Sequence, residues 1–155
     1  MTGVQTCALP IYHGVIVHFD SQRWPATEVL ETPVRLKGIG GRSASEVWAV
    51  GGTPDNHAVI YRFDGERWAQ VKPHADERAE SSWLQAVWGG ADRVWFVGDN
   101  GTILSYAGQR WFTSAATQHK VNFRAIWGRA PDALWAAGTD GAIFRAAPSL
   151  RPPSP

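Results

Sequence analysis

Short runs of alternating apolar and polar residues, separated by glycines, cover most of the chain. The clearest copy begins at Leu84, where "LQAVWG", "RVWFVG", "TILSYA" and "RWFTSA" follow one another and each has the length of a β-strand. Gly89, Gly98 and Gly108 lie at the breaks, where the chain must turn and glycine adopts positive φ without steric penalty. Because the apolar residues do not recur with a helical period, the pattern predicts a unit of four antiparallel strands.

This four-strand unit recurs along the chain. A closing Trp recurs at Trp24, Trp68 and Trp111, in steps of 44 and 43 residues, and an inner Trp recurs at Trp48, Trp95 and Trp135, in steps of 47 and 40 residues. A period in the low forties, built from short strands with glycine at the breaks, is the length of a β-propeller blade. We therefore predict an all-β fold, a β-propeller fragment made of four-stranded antiparallel blades, of which about three are present.

The repeat divides the chain into a propeller segment and two unlike ends. Residues 12–147 are predicted to form a partial β-propeller, with the end of a blade at 12–30, complete blades at 36–73 and 84–116, and an incomplete blade at 123–147. Residues 148–155 are expected to be a Pro-rich disordered tail, because proline cannot join a strand ladder. The sequence leaves open whether this tail is a genuine linker or the product of a frameshift.

The first eleven residues, "MTGVQTCALPI", differ in character from the rest of the chain. They resemble the in-frame translation of a common short-read sequencing adapter, and the codons of Tyr12 fit the next adapter base. We therefore expect residues 1–11 to be an adapter artefact and Tyr12 to be the first residue of the protein. Cys7, the single cysteine of the chain, then gives no information about the redox compartment.

Two stretches carry a resemblance to a known group of repeats. "AVWGGADRVWFVGDNGTILSYAGQRW" (86–111) and "AIWGRAPDALWAAGTDGAIF" (125–144) resemble bacterial β-propeller repeats of the BNR/YVTN/photosystem-assembly-factor-like group. The resemblance implies a propeller fold and favours a secreted or cell-surface bacterial protein. It implies little about activity, because this group includes binding modules, assembly factors and hydrolases.

The charge and hydropathy of the chain argue against a nucleic-acid partner and against a membrane span. Fifteen basic and fourteen acidic side chains give a net charge of +1 and are spread along the chain. This balance offers no electrostatic footprint for DNA or RNA, so we expect no nucleic-acid partner. No apolar run approaches the roughly 18 to 20 residues that a membrane-spanning helix needs, so we expect no membrane span in this chain.

The connections between strands indicate where a ligand would bind. If the strands of a blade are named A to D outward from the propeller axis, the B–C and D–A connections vary in length between copies, whereas A–B and C–D stay nearly constant. The B–C and D–A connections lie on the same face of an antiparallel blade. Insertions in repeat proteins tend to lie on the binding face. The candidate binding residues on this loop face are Asp55, His57, His74, Asp76, Trp83 and His119. Trp83, next to the longest loop, is the candidate for stacking against a ligand.

Candidate chemistry on this face is sparse. The histidines and aspartates lack the spacing of a zinc motif, and "GDNG" (98–101) and "GTDG" (138–141) each hold one carboxylate, whereas calcium takes six to eight oxygen ligands. We therefore expect no metal, no cofactor and no enzyme activity. The predicted function is a non-catalytic scaffold that binds a protein or a carbohydrate. Two alternatives stay open: a sialidase-like glycoside hydrolase, whose catalytic residues would lie in blades outside this chain, and a sensory or assembly-factor propeller.

Overall fold

The computed structural model describes residues 13–18, 21–24, 26–73, 82–114, 121–130 and 133–145. The predicted adapter segment 1–11 and the predicted tail 148–155 lie outside these residues. The strands are β1 (His13–Val17), β2 (Ala26–Pro33), β3 (Arg35–Ser43), β4 (Glu46–Gly52), β5 (Ala58–Phe63), β6 (Trp68–Gln70), β7 (Leu84–Gly89), β8 (Val94–Gly98), β9 (Ile103–Ala107), β10 (Arg110–Thr113), β11 (Phe123–Gly128), β12 (Leu134–Gly138) and β13 (Ile143–Arg145). No helix in the described ranges is long and apolar enough to cross a membrane.

The strands form four antiparallel sheets, each built from strands that are consecutive in sequence. Blade I is the pair β1–β2, blade II is β3–β4–β5–β6, blade III is β7–β8–β9–β10, and blade IV is β11–β12–β13. Each connection is short because every strand pairs with the next one along the chain. The prediction of an all-β propeller fragment with four-stranded antiparallel blades is therefore confirmed, with two complete blades among the described residues.

Each blade packs face to face against its neighbours through the middle strands. On β4, Trp48, Ala49 and Val50 are all buried, because one side of this strand faces blade I and the other faces blade III. Strands buried on both faces are continuously apolar rather than strictly alternating. Between blades II and III the core joins Trp48 to Phe96 of β8, and the hydrophobic layers between blades hold the fragment together.

The inner strands of neighbouring blades approach each other backbone to backbone. A β-carbon on Gly38 of β3 would lie 2.9 Å from the Cα of Ala86, and one on Gly40 would lie 2.8 Å from the carbonyl oxygen of Val87. Real β-carbons do not come so close, so glycine is required where β3 and β7 converge. The convergence of inner strands is expected when blades radiate from a common axis.

The "GDNG" and "GTDG" segments form tight one-turn 3₁₀ connections between strands B and C. Asn100 and Asp140 adopt φ of 57° and 58°, a left-handed conformation that Asn and Asp tolerate better than other side chains. The turns are closed by the backbone, because the N–H of Thr102 donates to the carbonyl of Asp99 at 3.1 Å. Within the described part of the chain, no three His, Cys, Asp or Glu residues form a group that could hold a metal.

Candidate binding face of the propeller fragment

The inner strand of each of the last three blades contains a β-bulge at the same repeat position. Leu36 and Gly38 pair with consecutive residues of β4, which leaves Lys37 as the extra residue. The same shift leaves Gln85 extra in β7 and Arg124 extra in β11. Because a bulge redirects the side chain of the inserted residue, all three blades present a long polar side chain from an equivalent point. We call Lys37, Gln85 and Arg124 the bulge row.

The bulge row lies beside the B–C turns, on the face that the variable loops predict as the binding face. The side-chain amide of Gln85 donates to both carboxylate oxygens of Asp99 at 3.2 Å. The guanidinium of Arg124, from the next blade, donates to Oδ1 of Asp99 at 3.1 Å. The carboxylate of one B–C turn thus links the bulge-row residues of two blades and fixes their position.

Trp83 joins the same face from the end of the D–A connection that precedes β7. Its indole N–H donates to the carbonyl of Thr53 at 3.0 Å, across the interface between blades II and III. The ring lies against Gly52, where a β-carbon would come within 2.5 Å of the indole Cγ. The Lys37 ammonium lies 5.4 Å and the Arg35 guanidinium 5.9 Å from the ring centroid, which are cation–π distances. Trp83 is therefore a half-buried support for two cations rather than an open stacking platform.

Hydrogen bonds between loops hold this face in one arrangement. The side-chain carbonyl of Asn122 accepts the N–H of Asn100 at 2.9 Å, and the side-chain amide of Asn100 donates to Ser82 at 3.2 Å. The carbonyl of Asn122 also accepts the N–H of Thr139 at 3.0 Å. The contacts join four successive connections, so a ligand would bind a preorganised surface and little conformational entropy would be lost in ordering it.

The face carries charges of both signs. Arg35, Lys37 and Arg124 supply three cations. The B–C turns supply three carboxylates, those of Asp55, Asp99 and Asp140, and of these Asp99 hydrogen-bonds to the bulge row. The exposed side chains of Lys37 and Arg124 leave donors facing solvent. Cations that are held by an aromatic ring and by one shared carboxylate can bind a carboxylate group from a second molecule.

The predicted site residues are only partly brought into this face. Asp55 and His57 lie on the exposed B–C turn of blade II, where the backbone N–H of His57 donates to Oγ1 of Thr53 at 3.1 Å. The predicted residues His74, Asp76 and His119 lie outside the described residues. Trp83 belongs to the face, with the packing given above.

The bulge row is not among the residues predicted from the loop lengths, although the sequence contains a signal for it. In each copy a long polar residue follows the first apolar residue of strand A, in "LKG", "LQA" and "FRA". This position is missed if strand residues are assumed to alternate strictly between inward and outward. The extra residue of a bulge breaks that alternation, so the side chain at this position is assigned to the wrong side.

Comparison with known proteins supports the fold. No family model matches the chain, and no curated protein matches it. Among solved structures, YCF48 from Cyanidioschyzon merolae is similar over 74% of this chain and 37% of its own, with a TM-score of 0.60 and 20% identity. A structure described as YCF48 bound to D1 peptide is similar over 88% of this chain and 45% of its own, with a TM-score of 0.63 and 17% identity. The chain thus spans less than half of each, and the likeness supports the β-propeller fold alone.

Proposed function

We propose that this chain is a non-catalytic β-propeller module that binds an acidic segment of another protein through the bulge row. The observation that carries the proposal is the recurrence of one bulge in three successive inner strands, which places Lys37, Gln85 and Arg124 at equivalent points of one face. A similar structure is described as bound to a peptide, which supports a protein partner. The predicted loop residues Asp55 and His57 border the same face.

The side chains of the face match an extended acidic peptide. Lys37 and Arg124 supply charge-assisted hydrogen bonds to side-chain or terminal carboxylates, which are about twice as strong as bonds between neutral groups. Gln85 supplies an amide for a peptide group, and Trp83 holds the Lys37 ammonium at the surface. Because the cations belong to different blades, a ligand must span several blades to contact them all, which an extended segment does.

A carbohydrate ligand is less well supported than a protein ligand. Sugar binding usually requires an aromatic ring with an open face, whereas Trp83 is packed against Gly52 and lies beneath two cations. A secreted or cell-surface location rests on the resemblance of the repeats alone and is proposed on that basis.

Binding of a labelled acidic peptide tests the proposed function. The probe is an extended peptide in which Glu alternates with Leu and Ser, compared with a peptide that has Gln in place of each Glu. We expect Lys37→Gln and Arg124→Gln each to weaken binding about three- to tenfold, because each removes one charge-assisted bond. We also expect added salt to weaken binding, because the charges are at the surface.

The matched control is Arg67→Gln. The side chain of Arg67 is 83% exposed on the C–D turn of blade II, at the opposite face of the fragment. This variant changes net charge by the same amount and should leave the affinity unchanged. Equal weakening by Arg67→Gln, or equal binding of the Gln peptide, would contradict a specific acidic-peptide site.

A further inference from the structure

The B–C turn of blade III contains an asparagine that is followed by glycine. Of the three asparagines of the chain, Asn100 alone has this neighbour, Gly101. An asparagine side chain loses ammonia when the backbone nitrogen of the next residue attacks its carbonyl carbon, Cγ. Glycine permits this attack more readily than other residues, because it has no β-carbon to hinder the approach or to restrict the backbone. Asn100 is therefore the asparagine of this chain that is most susceptible to the reaction.

The folded turn holds the reacting atoms apart. The N–H of Gly101 donates to the carbonyl of Val121 at 2.7 Å, so the attacking nitrogen is bound to the next connection. The side-chain amide of Asn100 donates to Ser82 at 3.2 Å. With ψ of 29° at Asn100, the Gly101 nitrogen lies nearly opposite the Asn100 β-carbon about the Cα–C bond. The ring that the reaction forms can close only after this turn rotates.

Rotation of the turn requires a local separation of blades III and IV. The backbone N–H of Asn100 donates to Oδ1 of Asn122 at 2.9 Å, and Val121 precedes Asn122 in the same connection. The bond from Arg124 to Asp99, at 3.1 Å, joins the same two blades. Local openings that break a few such bonds occur far more often than complete unfolding. Reaction at Asn100 thus depends on how often these contacts open.

We propose that Asn100 is a site of spontaneous deamidation, that closed contacts between blades III and IV protect it, and that its conversion weakens peptide binding at the bulge row. The effect on binding rests on the function proposed above. The Gly101 nitrogen gives its proton to solvent and bonds to Cγ of Asn100. The Cγ–Nδ2 bond breaks, and Nδ2 takes up a proton and leaves as ammonia. Water then opens the resulting succinimide ring. Attack at Cγ gives aspartate, and attack at the main-chain carbonyl carbon gives isoaspartate.

The two products change the face in different ways. Asp140 occupies the equivalent position of blade IV with φ of 58° and ψ of 29°, and Asn100 has 57° and 29°, so the turn accommodates aspartate. The aspartate product adds a negative charge next to Asp99, the carboxylate to which Gln85 and Arg124 are bonded. Isoaspartate inserts the β-carbon into the main chain, which lengthens the turn and disrupts its hydrogen bonds. Both products should therefore weaken binding of an acidic peptide.

Peptide mapping by mass spectrometry measures the reaction without a ligand. The full chain and the free peptide "VGDNGTI" (97–103) are incubated at the same neutral pH, and the amide and carboxyl forms are separated by chromatography. We expect Asn100 to react about tenfold more slowly in the full chain, because the turn must first open. Asn122→Ala removes the acceptor for the Asn100 N–H and should raise the rate about three- to tenfold.

Thr53→Ala is the matched control for Asn122→Ala. It also removes a side-chain acceptor from one backbone N–H, that of His57, at 3.1 Å, but in the B–C turn of blade II. It should leave the rate at Asn100 unchanged, because the contacts between blades III and IV are intact.

Binding of the acidic peptide described above measures the consequence of the reaction. Asn100→Asp reproduces the aspartate product and should weaken binding about threefold or more with little change in the melting temperature. Asn100→Gln keeps a neutral amide, and Gln109 shows, with φ of 63°, that glutamine adopts this conformation in the chain. It should bind like the unaltered chain. A saturating amount of the acidic peptide should slow deamidation, because a ligand that contacts Gln85 and Arg124 together favours the closed blades.

The possible results separate this proposal from the proposed function. Equal rates in the full chain and the free peptide, an unchanged rate in Asn122→Ala, or an equal increase in Thr53→Ala would overturn the protected deamidation site. Unchanged binding by Asn100→Asp, or binding of the acidic peptide without slower deamidation, would overturn its effect on the bulge row. If the acidic peptide does not bind at all, the proposed function is wrong and the effect on binding with it, whereas the ligand-free rates still decide the deamidation site.

Discussion

Replacing Trp48 and Trp135 separately with alanine tests whether contacts between blades determine the stability of the fragment. The two residues occupy the same position of strand B, but Trp48 is 0% and Trp135 is 43% exposed. We expect Trp48→Ala to lower the free energy of unfolding by about 4 kcal/mol, within the usual cost of truncating a buried aromatic side chain. Trp135→Ala should cost about 1–2 kcal/mol, because water replaces the lost side chain and no closed cavity forms.

The measurement is urea unfolding followed by far-UV circular dichroism, because fluorescence would be altered by the loss of one of nine Trp residues. A third variant, Trp48→Phe, separates packing from hydrogen bonding. It keeps an aromatic ring and removes an indole N–H that is buried without a hydrogen-bond partner in the described structure, so it should cost less than half as much as Trp48→Ala. If the costs of Trp48→Ala and Trp135→Ala differ by less than about 1 kcal/mol, the assignment of stability to the blade interface is wrong.

Two further predictions concern the inner strands and one turn. Gly89→Ala should lower the free energy of unfolding by about 2–3 kcal/mol in the same urea assay, because the β-carbon would lie 2.5 Å from the carbonyl carbon of Gly41. At Gly108 no atom lies within 4 Å of an added β-carbon, so Gly108→Ala should cost about 1 kcal/mol through the positive φ alone. An equal cost for Gly89→Ala and Gly108→Ala would argue against the close backbone contact between Gly89 and Gly41. Hydrogen bonds from the N–H groups of Arg67 and Glu66 lower the pKa of Asp64 below its ordinary value of 3.8. Because the folded pKa is lowered, this carboxylate stabilises the fold above the unfolded pKa, and the contribution is lost as pH falls through the folded pKa. An NMR titration of the Asp64 carboxyl should give a midpoint below that of an unstructured peptide, and a midpoint at or above it would contradict the turn geometry.

The blade architecture can be predicted from the sequence because each strand pairs with the next one along the chain. The alternation of apolar and polar residues then specifies the strands, and the recurring glycines specify the turns between them. The burial of equivalent residues cannot be predicted in this way. Trp111 is packed against the preceding blade, whereas Trp24, at the same repeat position, is 66% exposed. Among the described residues no blade precedes blade I, so the same residue type meets solvent there. Burial in a repeat fold depends on the neighbouring repeat as well as on the residue itself.

The binding face is less predictable for a different reason. The lengths of the loops indicate the face on which Trp83 lies, but the bulge row depends on a one-residue register shift in each inner strand. Such a shift leaves no mark in the apolar pattern other than a polar residue where an inward residue would be expected. Asp99 illustrates the same limit. From the sequence it is one residue of a tight turn, and only the packing of blade IV against blade III brings Arg124 to its carboxylate.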